Sequence, residues 1–289
     1  MSQLKAQLEN GRFVVTSEIA PPKGADLGEF LEHARLVKGR VVAYNVTDNQ
    51  RAIMRLSSLA ASIALIREGM EPIYQLACRD RNRLALQSDL LGAAAFGIQN
   101  VLPLTGDSVA QGDHKDAKPV FDCTSVKLMG LIQKLNQGLS MGDHPLSAKT
   151  DFFVGGAVDP KNFGNKAFFQ RMEDKMKHGA AFFQSQPVYD VTQAEALYRY
   201  CEEHKVKSLI GVLLVKGPKQ AAFLNTHVPG IRIPDEIIAK FNGSAEPLQV
   251  GIDFAAQQIR ELKGRAHGVH IMTVGREDLV PMILDRAGL

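Results

Sequence analysis

VVAYNVTDNQRAIMRLSSLAASIALIREGMEPIYQLACRDRNRLALQSDLLGAAAFGIQNVLPLT, residues 41–105, carries the pattern that decides the fold. Three short apolar runs stand out: Val41 to Val46, Pro72 to Ala77 and Asn100 to Thr105. Each is too short for a buried helix and is bounded by polar or Gly residues, so each reads as a strand. Between them the apolar period changes to that of a helix. Ile53, Leu56, Leu59, Ala60, Ile63 and Ile66 share one face of a helix over Ile53 to Arg67, and Leu84, Leu86, Leu90, Leu91 and Ala94 do the same over Asn82 to Ala95. Strand, helix, strand, helix, strand implies parallel strands joined by crossovers. Such strands are buried on both faces, which explains why the runs are nearly continuous rather than alternating.

The same alternation extends to both ends of the chain. Phe13 to Glu18 reads as a strand before this stretch, and Phe152 to Gly156, Ala181 to Gln184, Ser208 to Leu213 and His267 to Thr273 read as strands after it. Helical patterns occupy Val126 to Leu135, Phe168 to Lys177, Ala194 to Glu203 and Pro247 to Leu262. Eight strands in strict alternation predict an α/β fold, a closed (β/α)8 TIM barrel formed by residues 1–289 as a single domain; an open doubly wound sheet is the alternative. The polar segments Gly106 to Pro119 and Gly138 to Thr150 fall where loops of such a barrel belong.

Composition narrows the class. The chain has 289 residues, is 45% hydrophobic and carries a formal charge of +3 without a basic run, which argues against a nucleic-acid surface. Cys78, Cys123 and Cys201 are widely spaced and form no C-x-x-C, so neither a disulfide framework nor a protein-only zinc site is expected, and a reducing cytoplasm fits best. The N-terminal MSQLKAQLENGRF lacks the apolar core of a secretory signal, and no apolar stretch reaches the roughly 18 residues of a membrane span.

In a (β/α)8 barrel, chemistry sits at the C-terminal ends of the strands. Glu18 ends the first strand and is followed by Ile19, Ala20, Pro21 and Pro22; apolar surroundings raise a carboxyl toward a general-acid pKa, and the plainer reading is a surface Glu. Thr105-Gly106-Asp107 is a tight turn after the fourth strand, suited to a ligand or simply to turning the chain. Gln184 and Gln186 offer amides that recognise a heterocycle edge or pair with backbone. Gly155-Gly156 is weak evidence of a phosphate cradle, Asp113, His114 and Asp116 read as a solvated loop before a metal site, Cys78 as packing, and Arg79, Arg81 and Arg83 as a phosphate-binding cluster or a solvated rim. No G-x-G-x-x-G follows a strand.

Taken in order, four of these segments resemble the methylenetetrahydrofolate reductases, over nearly the whole chain: SEIAPPKG from Ser17, QLACRD with LPLTGD from Gln75 and Leu102, SQPVYD from Ser185, and HIMTVGRED from His270. The resemblance implies a (β/α)8 flavoprotein that reduces 5,10-methylenetetrahydrofolate to 5-methyltetrahydrofolate with hydride from reduced FAD N5. It makes Glu18 the acid that protonates folate and places Asp107 beside the flavin as the second catalytic residue. Thr47, Asp48, Gln75, Thr105, Gly106, Asp107, Gly156 and Ala157 match cofactor-lining positions, Lys175 a basic residue near the FAD phosphates, and Gln186 and Arg276 folate contacts. The chain departs from the family pattern at Gln75 (commonly His), at Thr105 (commonly Arg), at Val274-Gly275 before Arg276 (commonly Leu-Asn) and at Pro218, near the place of an aromatic that stacks on nicotinamide. NVTDNQRAIMRLSSLAA and CRDRNRLALQSDLLGA are similar to the branch found in anaerobes with a folate-based one-carbon pathway, in some of which a cysteine-rich or iron–sulfur partner subunit accompanies the reductase. The electron donor is therefore either NAD(P)H or a partner protein, within a homo-oligomer or a hetero-complex. Two other classes stay open: a flavin-free barrel subunit of a folate or pterin methyltransferase, and a non-catalytic barrel that anchors a redox partner.

Overall fold

The computed structural model describes residues 1–159, 163–227 and 231–289. Strands β1 (Val14–Ile19), β2 (Ala43–Val46), β3 (Pro72–Ala77), β4 (Asn100–Leu104), β5 (Phe153–Val158), β6 (Ala180–Pro187), β7 (Lys207–Leu213) and β8 (Gly268–Met272) are all parallel and close into one barrel in chain order. Closure is made where Val14 lies against Gly268 and Thr16 against His270. The (β/α)8 reading of the sequence thus holds, and each strand lies within three residues of where its apolar run placed it.

The crossover helices are α2 (Gly28–Val37), α3 (Ser58–Arg67), α4 (Arg83–Ala95), α5 (Ser125–Asn136), α6 (Lys166–Lys177) and α7 (Val191–Glu203), with α8 (Pro218–His227), α9 (Asp235–Gly243) and α10 (Pro247–Leu262) between β7 and β8 and α11 (Val280–Ala287) at the end. Their apolar stripes and the outward faces of the strands form the main core, in which Leu65, Leu90, Leu131, Ile132 and Ile259 are essentially inaccessible. The segment between β7 and β8 holds more than the one helix its sequence announced. Helices α8 and α9 cover a separate cluster of Leu213, Val215, Ile233, Ile237, Phe241 and Phe254.

Helix α1 (Gln3–Glu9) closes the N-terminal end of the barrel. Its Leu4 and Leu8 are buried against Val14, Ile73, Leu102, Phe153, Phe182 and Leu209, which point into the barrel from their strands. The Glu71 carboxylate accepts from the backbone N–H groups of Gln3 and Leu4 at 2.7 and 2.9 Å, so an anion meets the positive end of the helix. Gly155 belongs to the same packing: a Cβ there would lie 2.4 Å from the Phe182 ring.

One predicted helix starts late. The apolar pattern from Ile53 implies helix from that point, yet α3 begins at Ser58, capped by the Ser57 hydroxyl. Residues 49–55 are held otherwise: Asp107 Oδ2 accepts from Arg51 N at 2.8 Å, Asp113 Oδ1 from Met54 N at 3.0 Å and Asn49 Oδ1 from Arg55 N at 2.9 Å. Asn49, Arg51 and Ala52 adopt positive φ angles of 44°, 58° and 56°. Tertiary hydrogen bonds override local helix preference here.

Candidate functional site at the barrel mouth

The C-terminal mouth differs from the plugged end in what its strands point inward. Two residues beyond the apolar layer come Thr16, Asn45, Gln75, Gln184 and His270, all buried and all uncharged or neutral-capable. Asn45 donates through Nδ2 to Gln184 Oε1, and Gln75 donates through Nε2 to Asn45 Oδ1 at 2.7 Å. This chain spans β3, β2 and β6. It leaves Gln75 one free acceptor edge and Gln184 one free donor edge; both residues keep only 7–8% of their surface. Reversing the amide of Asn45 would exchange the two roles but keep one of each. On the opposite wall Thr16 Oγ1 lies 3.1 Å from His270 Nδ1, and His270 Nε2 has no partner. Burial drives the His270 imidazole to a pKa of about 3, so it is a neutral group at physiological pH.

Glu18 stands one pleat higher, at the end of β1, opposite Asn45 in register. Its pKa is pushed up to about 7, first by desolvation and second by the negative charge of Glu277; the Gln50 side chain reaches its carboxyl and offsets part of this. A carboxylic acid titrating near neutrality can both give and regain a proton at working pH. The turn holding Gln50 also presents Arg51 N to Asp107, so Glu18 and Asp107 meet two consecutive residues of one β2–α3 turn. Asp107 is exposed, and its other oxygen meets no donor among the described residues.

Asp48 serves a different purpose from an open ligand. Its Oδ2 accepts from Ala77 N at 2.8 Å and from Arg81 at 2.7 Å, while the Arg81 Nε donates to Asp89 at 2.8 Å. This buried pair ties the exits of β2 and β3 together. Arg79, 2% exposed, is clamped by Asp80 and the Asn49 carbonyl, and Gly106, with φ of 96°, runs so close that a Cβ would lie 2.8 Å from Arg79 Cβ. Thr105 Oγ1 accepts from Ser125 N at 3.1 Å at the start of α5. Thr47 is fully buried with its hydroxyl unpartnered.

Across the mouth, Lys175 of α6 reaches the end of β5 and donates to Ala157 O at 2.5 Å. Desolvation, with help from the nearby Arg171, lowers its pKa to about 8, and no carboxylate among the described residues pairs with it. Gly156 lies beneath: a Cβ there would stand 2.9 Å from the Phe183 ring and 3.3 Å from the Lys175 stem. A desolvated ammonium without an anion suits an anionic group of a ligand. Gln186 is exposed at the end of β6, where Ser185 Oγ donates to its carbonyl at 2.8 Å. Arg276, after β8, makes a two-pronged pair with Asp278, each contact 2.8 Å. Just before it Val274 is 58% exposed at φ of 52°, a left-handed conformation unusual for a β-branched residue, with Lys216 Nζ donating to its carbonyl.

The structure therefore gathers the named residues into three groups: Glu18, Thr47, Asp48, Gln75, Thr105, Gly106 and Asp107 around the exits of β1–β4, Gly156, Ala157, Lys175 and Gln186 at β5–β6, and Arg276 at β8. Gln50, His33, Glu277 and His270 are the parts that sequence reasoning passed over. Cys78 is buried and its thiol pushed up to about 12, an inert packing group. Among the described residues no cluster of His, Cys, Asp and Glu is disposed to hold a metal ion, and no helix is long and apolar enough to cross a membrane.

Fold and site together define a (β/α)8 barrel with a neutral polar floor, a carboxylic acid poised near neutrality and a desolvated lysine at its mouth. The chain belongs to the methylenetetrahydrofolate reductase family, whose model matches residues 3–288. It is 23% identical over 238 residues to methylenetetrahydrofolate reductase 2 of Schizosaccharomyces pombe (strain 972 / ATCC 24843), an alignment covering 74% of this chain and 35% of that protein, so the chain spans about a third of the length of that relative. Among solved structures, an uncharacterized protein from Clostridium thermocellum that binds two copies of 5-methyl-5,6,7,8-tetrahydrofolic acid superimposes with a TM-score of 0.68, at 18% identity and 99% coverage of both chains. A 2,3-dimethylmalate lyase of the PEP mutase/isocitrate lyase superfamily follows with a TM-score of 0.51 at 12% identity, covering 99% of this chain and 84% of its own. At these identities both structures share the fold alone.

Proposed function

We propose that this chain is a flavin-dependent reductase of 5,10-methylenetetrahydrofolate, with Glu18 as its general acid. The observation that carries the reading is the Glu18 carboxyl, raised to about 7 at the mouth of a barrel of this family. At pH 7 roughly half of the molecules hold the Glu18 proton, which suits an acid that must be reloaded each turnover. Glu18 donates that proton to the folate nitrogen released as the methylene bridge opens to an iminium. The anionic Asp107, on the other side of the Gln50–Arg51 turn, favours the positive charge that develops there. Gln186 and Arg276 contact the folate, the latter after exchanging its pairing with Asp278.

The residues present fit FAD. Among the described residues Lys175 has no carboxylate partner and the Thr47 hydroxyl no hydrogen-bond partner, and the Gln75 and Gln184 edges match a heterocycle that both donates and accepts. Thr47, Gln75, Thr105, Gly106, Asp107 and Ala157 would line it, with Asp48 and Gly156 as their supports. When bound, the flavin supplies the hydride. The reducing equivalents come from NAD(P)H or from an iron–sulfur partner subunit.

The test is the absorption spectrum of the pure protein during anaerobic addition of NADH, NADPH and 5-methyltetrahydrofolate. Flavin bands bleached by the methyl-folate support the reductase; bleaching by a nucleotide also identifies the donor, and its absence points to the partner. Glu18→Gln should keep the flavin and lose folate turnover, and full turnover by that variant would refute the assignment. A second reading is favoured by the Clostridium thermocellum neighbour, described as binding two copies of 5-methyltetrahydrofolate. It makes this chain a flavin-free folate methyl-carrier barrel. A colourless protein that takes up no FAD and binds two methyl-folates per chain would establish that alternative.

A further inference from the structure

A cavity of about 500 Å³ opens beside the mouth between α2 and the turn after β8, and Glu18, Glu29, His33, Gln50, Arg55 and Glu277 line it. Glu277 is 5% exposed, and among the described residues the side chain paired with its carboxylate is His33, whose Nδ1 lies 3.0 Å from Oε2. We propose that Glu277, anchored by His33, is a positioning residue that keeps Glu18 protonated between turnovers. This rests on the reading of Glu18 as the acid.

A buried carboxylate without a cation is costly unless a donor fixes it. The cations nearby are committed elsewhere: Arg55 donates to Pro21 O at 2.8 Å, Arg276 is paired with Asp278, and Lys23 pairs with Asp113 at 3.7 Å. The remaining charges on the cavity wall are carboxylates, Asp26 and Glu29 from the β1–α2 loop and α2, and Asp278 acts on His33 from the turn after β8. Glu29 stands 3.9 Å from His33 Nε2, so the imidazole bridges an exposed carboxylate to a buried one. Two carboxyls that share one poorly solvated cavity cannot both ionise cheaply, and the one deprived of donors retains the proton. Glu277 has the imidazole; Glu18 has only Gln50. Desolvation is the larger cause of the elevated Glu18 pKa, and Glu277 adds to it in the same direction. After Glu18 gives its proton to substrate, the fixed charge of Glu277 favours recapture of a proton from water in the cavity.

The experiment is a pH titration of the purified protein labelled with ¹³C at Glu carboxyls, alongside kcat/KM for folate against pH, for the parent and for Glu277→Gln, which preserves shape and can still pair with His33. The Glu18 resonance and the alkaline limb of the profile should both move to lower pH. A downward shift of half a unit would read as about a threefold loss of kcat/KM at pH 8 with near-parent values at pH 6. An unmoved limb, or a loss equal at every pH, would overturn the proposal. Should Glu277→Gln fail to fold, the coupling is read from the other side: the Glu277 resonance of the parent should inflect as Glu18 titrates, the inflection should vanish in Glu18→Gln, and it should shrink in His33→Ala as Glu277 relaxes toward solvent. No inflection in the parent also overturns it. Failure of the acid reading is separate, because it shows as full turnover by Glu18→Gln whatever the Glu277 resonance does.

Discussion

The two ends of this barrel are built from the same eight strands and obey opposite rules. At the N-terminal end Val14, Ile73, Phe153 and Phe182 meet Leu4 and Leu8 of α1, and among the described residues the Asn100 carbonyl oxygen is the one buried side-chain polar atom there without a partner. At the C-terminal end the inward residues are amides, a neutral imidazole and a protonatable carboxyl. There the Thr47 and Thr273 hydroxyls and His270 Nε2 are all unsatisfied. One end maximises apolar burial; the other tolerates desolvated polar groups, each costing about 1–3 kcal/mol when unpaired. Apolar packing is concentrated at the plugged end, and the mouth draws on the stability it gives.

The largest effect that would test this contrast is at Glu18. Glu18→Gln should lower folate turnover by about 10²–10⁴-fold, measured as kcat/KM, because an uncharged amide cannot deliver the proton. The same variant should be the more stable protein in alkali. The folded pKa of Glu18 lies above its unfolded value, so its favourable contribution is complete below about pH 4.5 and is lost as pH rises through about 7. Unfolding free energies from denaturant titration should therefore show Glu18→Gln gaining on the parent by about 2–3 kcal/mol between pH 5 and pH 8. A variant that loses activity without that pH-dependent gain would break the comparison.

At the plugged end the expectation reverses. Leu8→Ala should cost about 2–4 kcal/mol of unfolding free energy at any pH and leave the pH profile of turnover in place. A shifted profile would mean that the plug also shapes the mouth. Lys175→Met should be smaller and specific, weakening flavin retention by roughly tenfold, read by dialysis against FAD, while the melting temperature of the flavin-free protein rises or holds. Smallest of all, Val274→Gly should stabilise the chain by about 1 kcal/mol, since glycine accepts the left-handed conformation without strain. If folate affinity falls at the same time, the strain at Val274 is part of the mouth's function.

The strands were legible because a strand buried on both faces announces itself as a nearly continuous apolar run bounded by polar or Gly residues, and all eight did. Helix α1 was not, because seven residues with two buried leucines carry too little periodicity to be told from a frayed terminus. The late start of α3 lay beyond reach for another reason: Ile53 and Leu56 fit a helix, and what prevents it is Asp107 and Asp113, more than fifty residues away. At the mouth, Glu18 could be singled out from its apolar neighbours, and Gln75 and Gln184 from their place at strand ends. Glu277 and His33 could not, since both look like ordinary polar residues of a loop and a helix face until β8 closes against β1. Val274 runs against its own backbone preference, and propensity cannot announce a residue that defies it.

Closure of the barrel also sets the order in which this chain can be made. Thr16 and His270, which touch inside it, are 254 residues apart, so β1 emerges from the ribosome long before its partner exists. Until β8 arrives, β1 has one free edge, and Leu4 and Leu8 have an incomplete barrel floor to rest on. The nascent chain thus spends most of its synthesis with one edge of its first strand open and its plug incompletely seated, a state in which strand edges recruit other chains. The β1–β8 seam is the last strand pairing this topology can complete, and Glu18 lies on the strand that it seals. The cavity that Glu18 shares with Glu277 therefore has both its walls only once β8 has arrived.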